Sequence, residues 1–102
     1  NCPCMETCPL NRAMALIGGK WKMQILCSLY NNGPTRYNQL KKTLDGVSNT
    51  VLANALRELE GDGLVHRQEY LEVPVRVEYA ITEPCRQLIP ILDALGDWSM
   101  AL

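Results

Sequence analysis

The sequence predicts a single small α+β domain that is mainly helical and carries one β-hairpin. Apolar residues recur at helical spacing in four successive segments before residue 63, and again from residue 83 to the end of the chain. Between residues 65 and 81 the apolar period changes to two, which is typical of β-strands. A chain of 102 residues, of which 47% are apolar, is long enough to bury a core without the help of metals or disulfides.

Three short helices are predicted within the first 44 residues. Each has apolar residues three and four positions apart, and each is followed by glycine or by a turn-forming run that disfavours its continuation. The predicted helices are Leu10–Ile17, with Pro9 at its start, Lys20–Tyr30 and Tyr37–Leu44, with Thr35 and Arg36 extended between the last two.

A fourth helix is expected to run from Asn49 to about Asp62. Ser48 precedes it as the N-cap, because its hydroxyl can accept a hydrogen bond from a free backbone N–H of the first turn. Leu52, Leu56 and Leu59 fall on one face, and this pattern predicts the side of the helix that is buried.

The rest of the chain predicts a hairpin and a long last helix. Residues 65–70 and 75–81 form the two strands, and residues 71–74 connect them. Thr82 is expected to cap the last helix, in which Pro90 removes one backbone hydrogen bond and is expected to introduce a kink.

Two short helices that meet at a turn and are followed by a hairpin make a helix-turn-helix with a wing. The turn comprises residues 45–48. The sequence therefore predicts one winged helix-turn-helix domain over residues 1–102. Within it, residues 1–8 form a cysteine-rich N-terminal arm and residues 83–102 form a dimerisation helix.

Five motifs follow one another along most of the chain. Cys8-Pro9 comes first, and GGKWKMQIL, GPTRYNQL, LRELEGDGLVHR and VPVRVEYAIT begin at Gly18, Gly33, Leu56 and Val73. Together, over about Cys8–Trp98, they resemble the HxlR-type branch of the MarR-like winged-helix transcription regulators. The resemblance implies a homodimeric bacterial or archaeal regulator that places one helix in the major groove of DNA and uses the hairpin as a wing. Cys85 departs from the family pattern, which usually has glycine at this point of the last helix.

The charge distribution favours contact with double-stranded DNA, although the net charge of the chain is −1. Residues 20–57 contain six lysines and arginines against Asp45 alone, whereas the later part of the chain is acidic. Opposite its leucines, the fourth helix carries short amides, hydroxyls and a guanidinium, which can pair with base edges or phosphates. The alternative is an ordinary solvated helix face. The predicted DNA-binding residues are Arg36, Lys41, Lys42, Ser48, Asn49, Thr50, Asn54, Arg57 and Arg76.

Arg76 lies just past the hairpin tip, where a long cation can enter the minor groove or meet a phosphate. The alternative is that Arg76 sits on the strand surface and pairs with Glu72 or Glu78.

The last helix carries more apolar residues than the core of one domain needs. One stripe can pack against the domain and leave others for the same helix of a second copy. We expect a homodimer whose recognition helices lie about 34 Å apart, one turn of DNA, which selects a near-palindromic operator. The predicted dimerisation residues are Leu88, Ile91, Leu92, Leu95 and Trp98, with Ile89, Met100 and Ala101 as further apolar positions.

Cys8 is predicted to sense oxidants or electrophiles, because the positive end of the first helix stabilises the reactive thiolate. The resemblance adds to this, since some members of the family use a cysteine at this position for thiol sensing. Cys2, Cys4 or a cysteine of a second copy could resolve the oxidised form. Cys27, on a helix that is expected to be buried, is a poorer choice. The alternative is an unreactive small residue at a helix start.

Other function classes have little support in the sequence. The chain has no G-x-S-x-G, P-loop or dinucleotide motif, and its single histidine, His66, lacks an acid and a nucleophile, so we expect no enzyme. The cysteine spacing does not fit a zinc site, and neither a metal nor a cofactor is expected.

The apolar runs are too short to span a membrane and no signal peptide is visible, which favours a cytoplasmic protein, and the sequence identifies no effector. The competing hypothesis is a winged-helix module that binds another protein and does not bind DNA, because the fold alone does not determine the function.

Overall fold

A computed structural model describes residues 8–102, so that the first seven residues of the predicted cysteine-rich arm lie outside the described part. The helices are α1 Pro9–Ile17, α2 Lys22–Asn32, α3 Tyr37–Thr43, α4 Asn49–Gly61 and α5 Glu83–Met100. The strands are β1 Thr35–Arg36, β2 Val65–Tyr70 and β3 Arg76–Ile81. This order of elements confirms the predicted winged helix-turn-helix, in which the β2–β3 hairpin is the wing.

The three strands form one antiparallel sheet with β3 in the centre. β2 pairs with β3 in a register that places Val65 opposite Ile81 and Tyr70 opposite Arg76. β1 adds two residues on the other side of β3, with Thr35 opposite Tyr79. The sequence predicted these two residues as extended but not as a strand, because their partner strand lies far along the chain and leaves no local pattern.

The second helix lies two residues later than predicted at both ends. Gly19 has a positive φ of 95°, and the chain turns before α2 begins. The Trp21 carbonyl accepts the hydrogen bond of the Ile25 N–H at 2.9 Å. At the other end Gly33, with a φ of 73°, donates its N–H to the Leu29 carbonyl and closes the helix after Asn32.

α4 begins and packs as predicted. The Ser48 Oγ accepts a hydrogen bond from the Val51 N–H at 3.1 Å, which satisfies one of the free donors of the first turn. Leu52, Leu56 and Leu59 are buried in the core. The core cluster also contains Ile25, Leu26 and Leu29 of α2, Leu40 and Leu44 at α3, Val65 and Ile81 of the wing, and Cys85 and Ile89 of α5.

α1 and α5 leave much of their apolar surface uncovered. In α1 only Ile17 is buried, while Leu10 and Met14 are exposed. α5 packs against the core near its start, where Cys85 and Ile89 are buried, and it continues through Pro90 as one helix.

Among the helices of the described residues, none is long and apolar enough to cross a membrane.

The burial of α4 leads to a stability prediction. Leu52→Ala removes a side chain that is fully buried, and we expect it to lower the free energy of unfolding by about 3 kcal/mol. Val51→Ala, on the exposed side of the same turn, should change it by no more than about 0.5 kcal/mol. Urea unfolding at one fixed protein concentration measures both values. Equal effects of the two substitutions would contradict the described orientation of α4.

Candidate nucleic-acid interface

α4 turns a polar face away from the core. Asn49, Thr50, Asn54 and Arg57 are all exposed, and we call these four residues the α4 polar face. Thr50, Asn54 and Arg57 lie three or four residues apart, so they project from the same side of the helix. The burial of the leucines on the opposite side therefore makes an exposed row of side chains that can form hydrogen bonds.

Hydrogen bonds to neighbouring side chains orient two members of this face. Arg57 donates from Nη1 to Asn54 Oδ1 at 2.8 Å. Tyr37 at the start of α3 places its hydroxyl 3.1 Å from the Asn49 carbonyl oxygen and 3.2 Å from Asn49 Oδ1, and it donates to these oxygens. The side chains of Asn49 and Asn54 are therefore held in place before any partner arrives.

Three predicted phosphate contacts lie on β1 and α3, next to α4 in the helix-turn-helix. Arg36 and Lys42 are exposed and Lys41 is half-buried. Lys41 and Lys42 occupy the last turn of α3, where the helix dipole favours positive charge. Across residues 8–102, none of these three cations takes part in an ion pair. Their charge is available to a polyanion.

Arg76 differs from these three cations because acidic side chains surround it. Its guanidinium lies 2.8 Å from Glu72 Oε2 and 3.6 Å from Glu78 Oε2, and it stacks on the Tyr70 ring at 4.0 Å from the ring centroid. Its Nε is buried without a hydrogen-bond partner among the described residues. This is the ion-paired alternative of the sequence analysis, and two carboxylates neutralise the charge of this guanidinium.

A cleft of about 230 Å³ separates α4 from the wing. Arg57 and Glu60 of α4 face Arg67 and Tyr79 of the sheet across it, and Tyr37 lies at its side. A hydrogen bond with Tyr79 raises the pKa of Arg67 above its ordinary value, and the charge of Glu69 adds to this effect.

The sequence analysis missed Tyr37 and Arg67 as members of this region. Helical spacing assigned Tyr37 to the apolar side of α3, and nothing in that pattern shows where its hydroxyl group lies. Alternation along β2 places Arg67 on the same face of the strand as Val65, but this pattern does not show that α4 lies beside it. Both side chains lie beside α4 only because of the tertiary fold.

The predicted dimerisation residues divide into two groups. Leu88 and Leu92 pack against the core of their own domain. Ile91, Leu95 and Trp98 are 63%, 51% and 62% exposed, and they lie on one side of α5. This side of the helix has no apolar partner within the described residues.

The cysteines occupy three different environments. Cys8, at the N-cap position of α1, is buried and disulfide-bonded in this structure, so it is not the free thiol that the sequence analysis considered. Cys27 is exposed, which corrects the expectation of a buried position, since α2 buries its neighbours Ile25 and Leu26 instead. Although the residue is exposed, partial desolvation of its thiol, and to a smaller extent the charge of Asp93, raise the pKa of Cys27. Burial also raises the pKa of Cys85.

The chain belongs to the HxlR-like helix-turn-helix family, whose model matches residues 16–102. This confirms the resemblance described above. The relatives are named as transcriptional regulators, and the chain is a transcriptional regulator of the helix-turn-helix type.

Individual relatives agree in sequence and in structure. A protein of Halalkalibacterium halodurans, named as an uncharacterized HTH-type transcriptional regulator, is 41% identical over 96 residues, which cover 94% of this chain and 85% of the relative. The redox regulator HypR in its oxidized form is 37% identical with a TM-score of 0.84, over 93% of this chain and 97% of HypR. Diamide-treated YodB from Bacillus subtilis is 31% identical with a TM-score of 0.82, over 96% and 97% of the two chains.

Proposed function

We propose that the protein is a cytoplasmic, sequence-specific DNA-binding repressor that acts as a homodimer and responds to thiol oxidation through Cys8. The observation that carries the DNA-binding part is the α4 polar face, exposed beside unpaired cations of α3 in a chain of the HxlR-like helix-turn-helix family. Amides, hydroxyls and a guanidinium on one helix match the hydrogen-bonding groups that line the major groove.

In this proposal α4 lies in the major groove and α3 crosses the phosphate backbone. Asn49, Thr50, Asn54 and Arg57 approach base edges, and Ser48, at the N-terminus of α4, lies close to a phosphate. Arg36, Lys41 and Lys42 contribute most of the sequence-independent attraction to phosphates, because no carboxylate among the described residues neutralises them.

The wing makes a smaller electrostatic contribution. Arg76 contacts DNA only by exchanging Glu72 and Glu78 for a phosphate, and the two carboxylates then lie close to the DNA without a cation. The tip of the wing exposes Leu71 and Val73 almost completely, and these side chains contribute no charge. Most of the phosphate attraction therefore belongs to α3.

Binding to the DNA upstream of the protein's own gene tests this proposal against the protein-binding alternative. We expect the full chain to shift this duplex, with a steep loss of affinity between two salt concentrations. Lys42→Ala should reduce the slope of log K against log salt concentration by about 0.9, because one phosphate contact is lost. Arg86→Ala, on α5 and outside the proposed interface, should leave the slope unchanged. Binding that is absent at low salt, or that is insensitive to salt, would contradict the proposal.

Dimerisation is supported by the apolar surface that α1 and α5 leave uncovered. Ile91, Leu95 and Trp98 on α5 and Leu10 and Met14 on α1 are large, exposed and apolar. Large apolar side chains that are exposed along one side of a helix, as on α5, are typical of protein interfaces. A two-fold axis that pairs this surface with itself presents two copies of α4 to the same side of a DNA duplex.

Leu95→Lys is expected to dissociate the dimer, because it buries a charge in an apolar contact. Asp97→Lys introduces the same side chain two residues later, on the opposite side of α5, and should leave the dimer intact. Sedimentation velocity at micromolar concentration distinguishes the two species. A monomeric unsubstituted protein, or a dimeric Leu95→Lys variant, would refute the proposed interface.

The thiol response is supported by the position and state of Cys8. Cys8 occupies the N-cap position of α1, where the helix dipole stabilises a thiolate, and it is disulfide-bonded in this structure. The related HypR and YodB are described as a redox regulator and as a diamide-treated protein. With diamide, Cys8 and a second cysteine lose two electrons and two protons, one S–S bond forms, and diamide is reduced to its hydrazine. A bond at the start of α1 can change how the two subunits pack and thus the separation of the two copies of α4.

After reduction, diamide should weaken operator binding of the unsubstituted protein by about 5- to 150-fold, the usual range for coupling between two sites. Cys8→Ser should not respond. Cys27→Ser is the matched control, and it should respond like the unsubstituted protein, because the raised pKa of Cys27 lowers its thiolate fraction at neutral pH. Equal loss of binding in Cys8→Ser and in the unsubstituted protein would exclude Cys8 from the mechanism.

A further inference from the structure

The hydrogen bonds on the α4 polar face have a chemical consequence for the bases that it can recognise. Arginine has five N–H donors and no acceptor, so the contact between Arg57 and Asn54 requires the amide oxygen of Asn54 to face Arg57. The NH₂ group of Asn54 is the other end of the same planar amide, and it points away from this contact. Asn54 therefore presents mainly hydrogen-bond donors to a partner.

The neighbouring residues show the same division of donors and acceptors. The Oδ1 of Asn49 accepts from the Tyr37 hydroxyl, which leaves the NH₂ group of its amide for a partner. The Oγ of Ser48 accepts from the Val51 N–H, which leaves its O–H proton to donate. Thr50 is the one member of the α4 polar face for which no such contact is found among residues 8–102. Each of these three oxygens thus already accepts a hydrogen bond within the protein, whereas the NH₂ groups of Asn49 and Asn54 make none among the described residues.

The four bases differ in the hydrogen-bond donors and acceptors that their major-groove edges present to the α4 polar face. Adenine presents the N7 acceptor and the N6 donor, so the usual pairing with asparagine needs both the amide oxygen and the amide nitrogen. Cytosine presents a donor at N4. Guanine presents two adjacent acceptors, N7 and O6, whereas thymine presents one acceptor, O4, beside its methyl group, so guanine is the base edge that can accept from two donors.

We propose that Asn54 and Arg57 act as one hydrogen-bond-donating unit that recognises guanine in each operator half-site, and that Asn54 does not pair with adenine. Arg57 acts twice in this arrangement, because it donates to the base and also fixes the orientation of the Asn54 amide. The inference rests on the proposed DNA-binding function and specifies the base that α4 prefers.

The test starts from a library of duplexes with a random 24-base-pair centre, from which the full chain selects its sites. The selection is repeated with Asn54→Asp and with Asn31→Asp. The carboxylate that Asn54→Asp introduces would keep the contact with Arg57, but it would replace the outward NH₂ group by an acceptor oxygen. Asn31 is exposed on α2, so its substitution adds the same charge outside the proposed interface.

We expect the unsubstituted protein and Asn31→Asp to select sites with one fixed guanine in each half. In the sites selected by Asn54→Asp, this guanine should be replaced by cytosine, whose N4 group can donate to the new carboxylate. With the unsubstituted protein, replacing the guanine by 7-deazaguanine removes the N7 acceptor, and replacing it by adenine removes O6. Each change should weaken binding by about 5- to 150-fold.

Two results would overturn the inference, and they differ in whether they also refute the proposed DNA binding. A selected site in which the position sensitive to Asn54→Asp is not guanine, or in which 7-deazaguanine binds equally well, refutes the guanine assignment and leaves the DNA-binding proposal intact. If the unsubstituted protein enriches no sequence, both the inference and sequence-specific DNA binding are refuted. The measurement with 7-deazaguanine uses the unsubstituted protein, so it does not depend on the folding of a variant.

Discussion

The burial of Leu52, Leu56 and Leu59 fixes the rotation of α4 about its axis, and the rest of the candidate interface depends on that rotation. With the three leucines in the core, Asn54 and Arg57 have to face outwards. The Ser48 cap fixes where the helix begins. A helix that is held at its start and along one side presents its other side in one orientation, which is what recognition of a base sequence requires.

Among the described residues, α3 and the wing differ in whether their cations are neutralised by carboxylates. On α3 the cations are free of carboxylate partners, whereas the wing pairs Arg76 with Glu72 and Glu78. An ion-paired guanidinium stacked on Tyr70 stabilises the hairpin near its tip, and it gives up these contacts if it moves to a phosphate. The two regions therefore differ in the positive charge that they leave available to a polyanion, although both are found next to α4.

The order of elements, the capping of α4 by Ser48 and the buried leucines could be predicted from the sequence because they depend on local spacing. What could not be predicted depends on contacts between distant segments. The pairing of β1 with β3 and the hydrogen bond from Tyr37 to Asn49 each join residues whose approach no local periodicity shows. The pairing of Arg76 with Glu72 and Glu78 is local, and it was one of two alternatives that the sequence left open. The exposure of Cys27 could not be predicted either, because helical spacing alone does not show which turn of α2 lies at the edge of the core.

Dimethyl sulfate footprinting of the upstream duplex, which methylates guanine N7 in the major groove, tests most directly the central claim that two copies of α4 enter the major groove of one DNA molecule. We predict two protected segments on one side of the duplex, with their centres about one helical turn or a whole number of turns apart. A single protected segment would contradict the dimeric arrangement. The absence of any protection at protein concentrations that saturate binding of the reduced protein would contradict the assignment of α4 as the DNA-recognition helix.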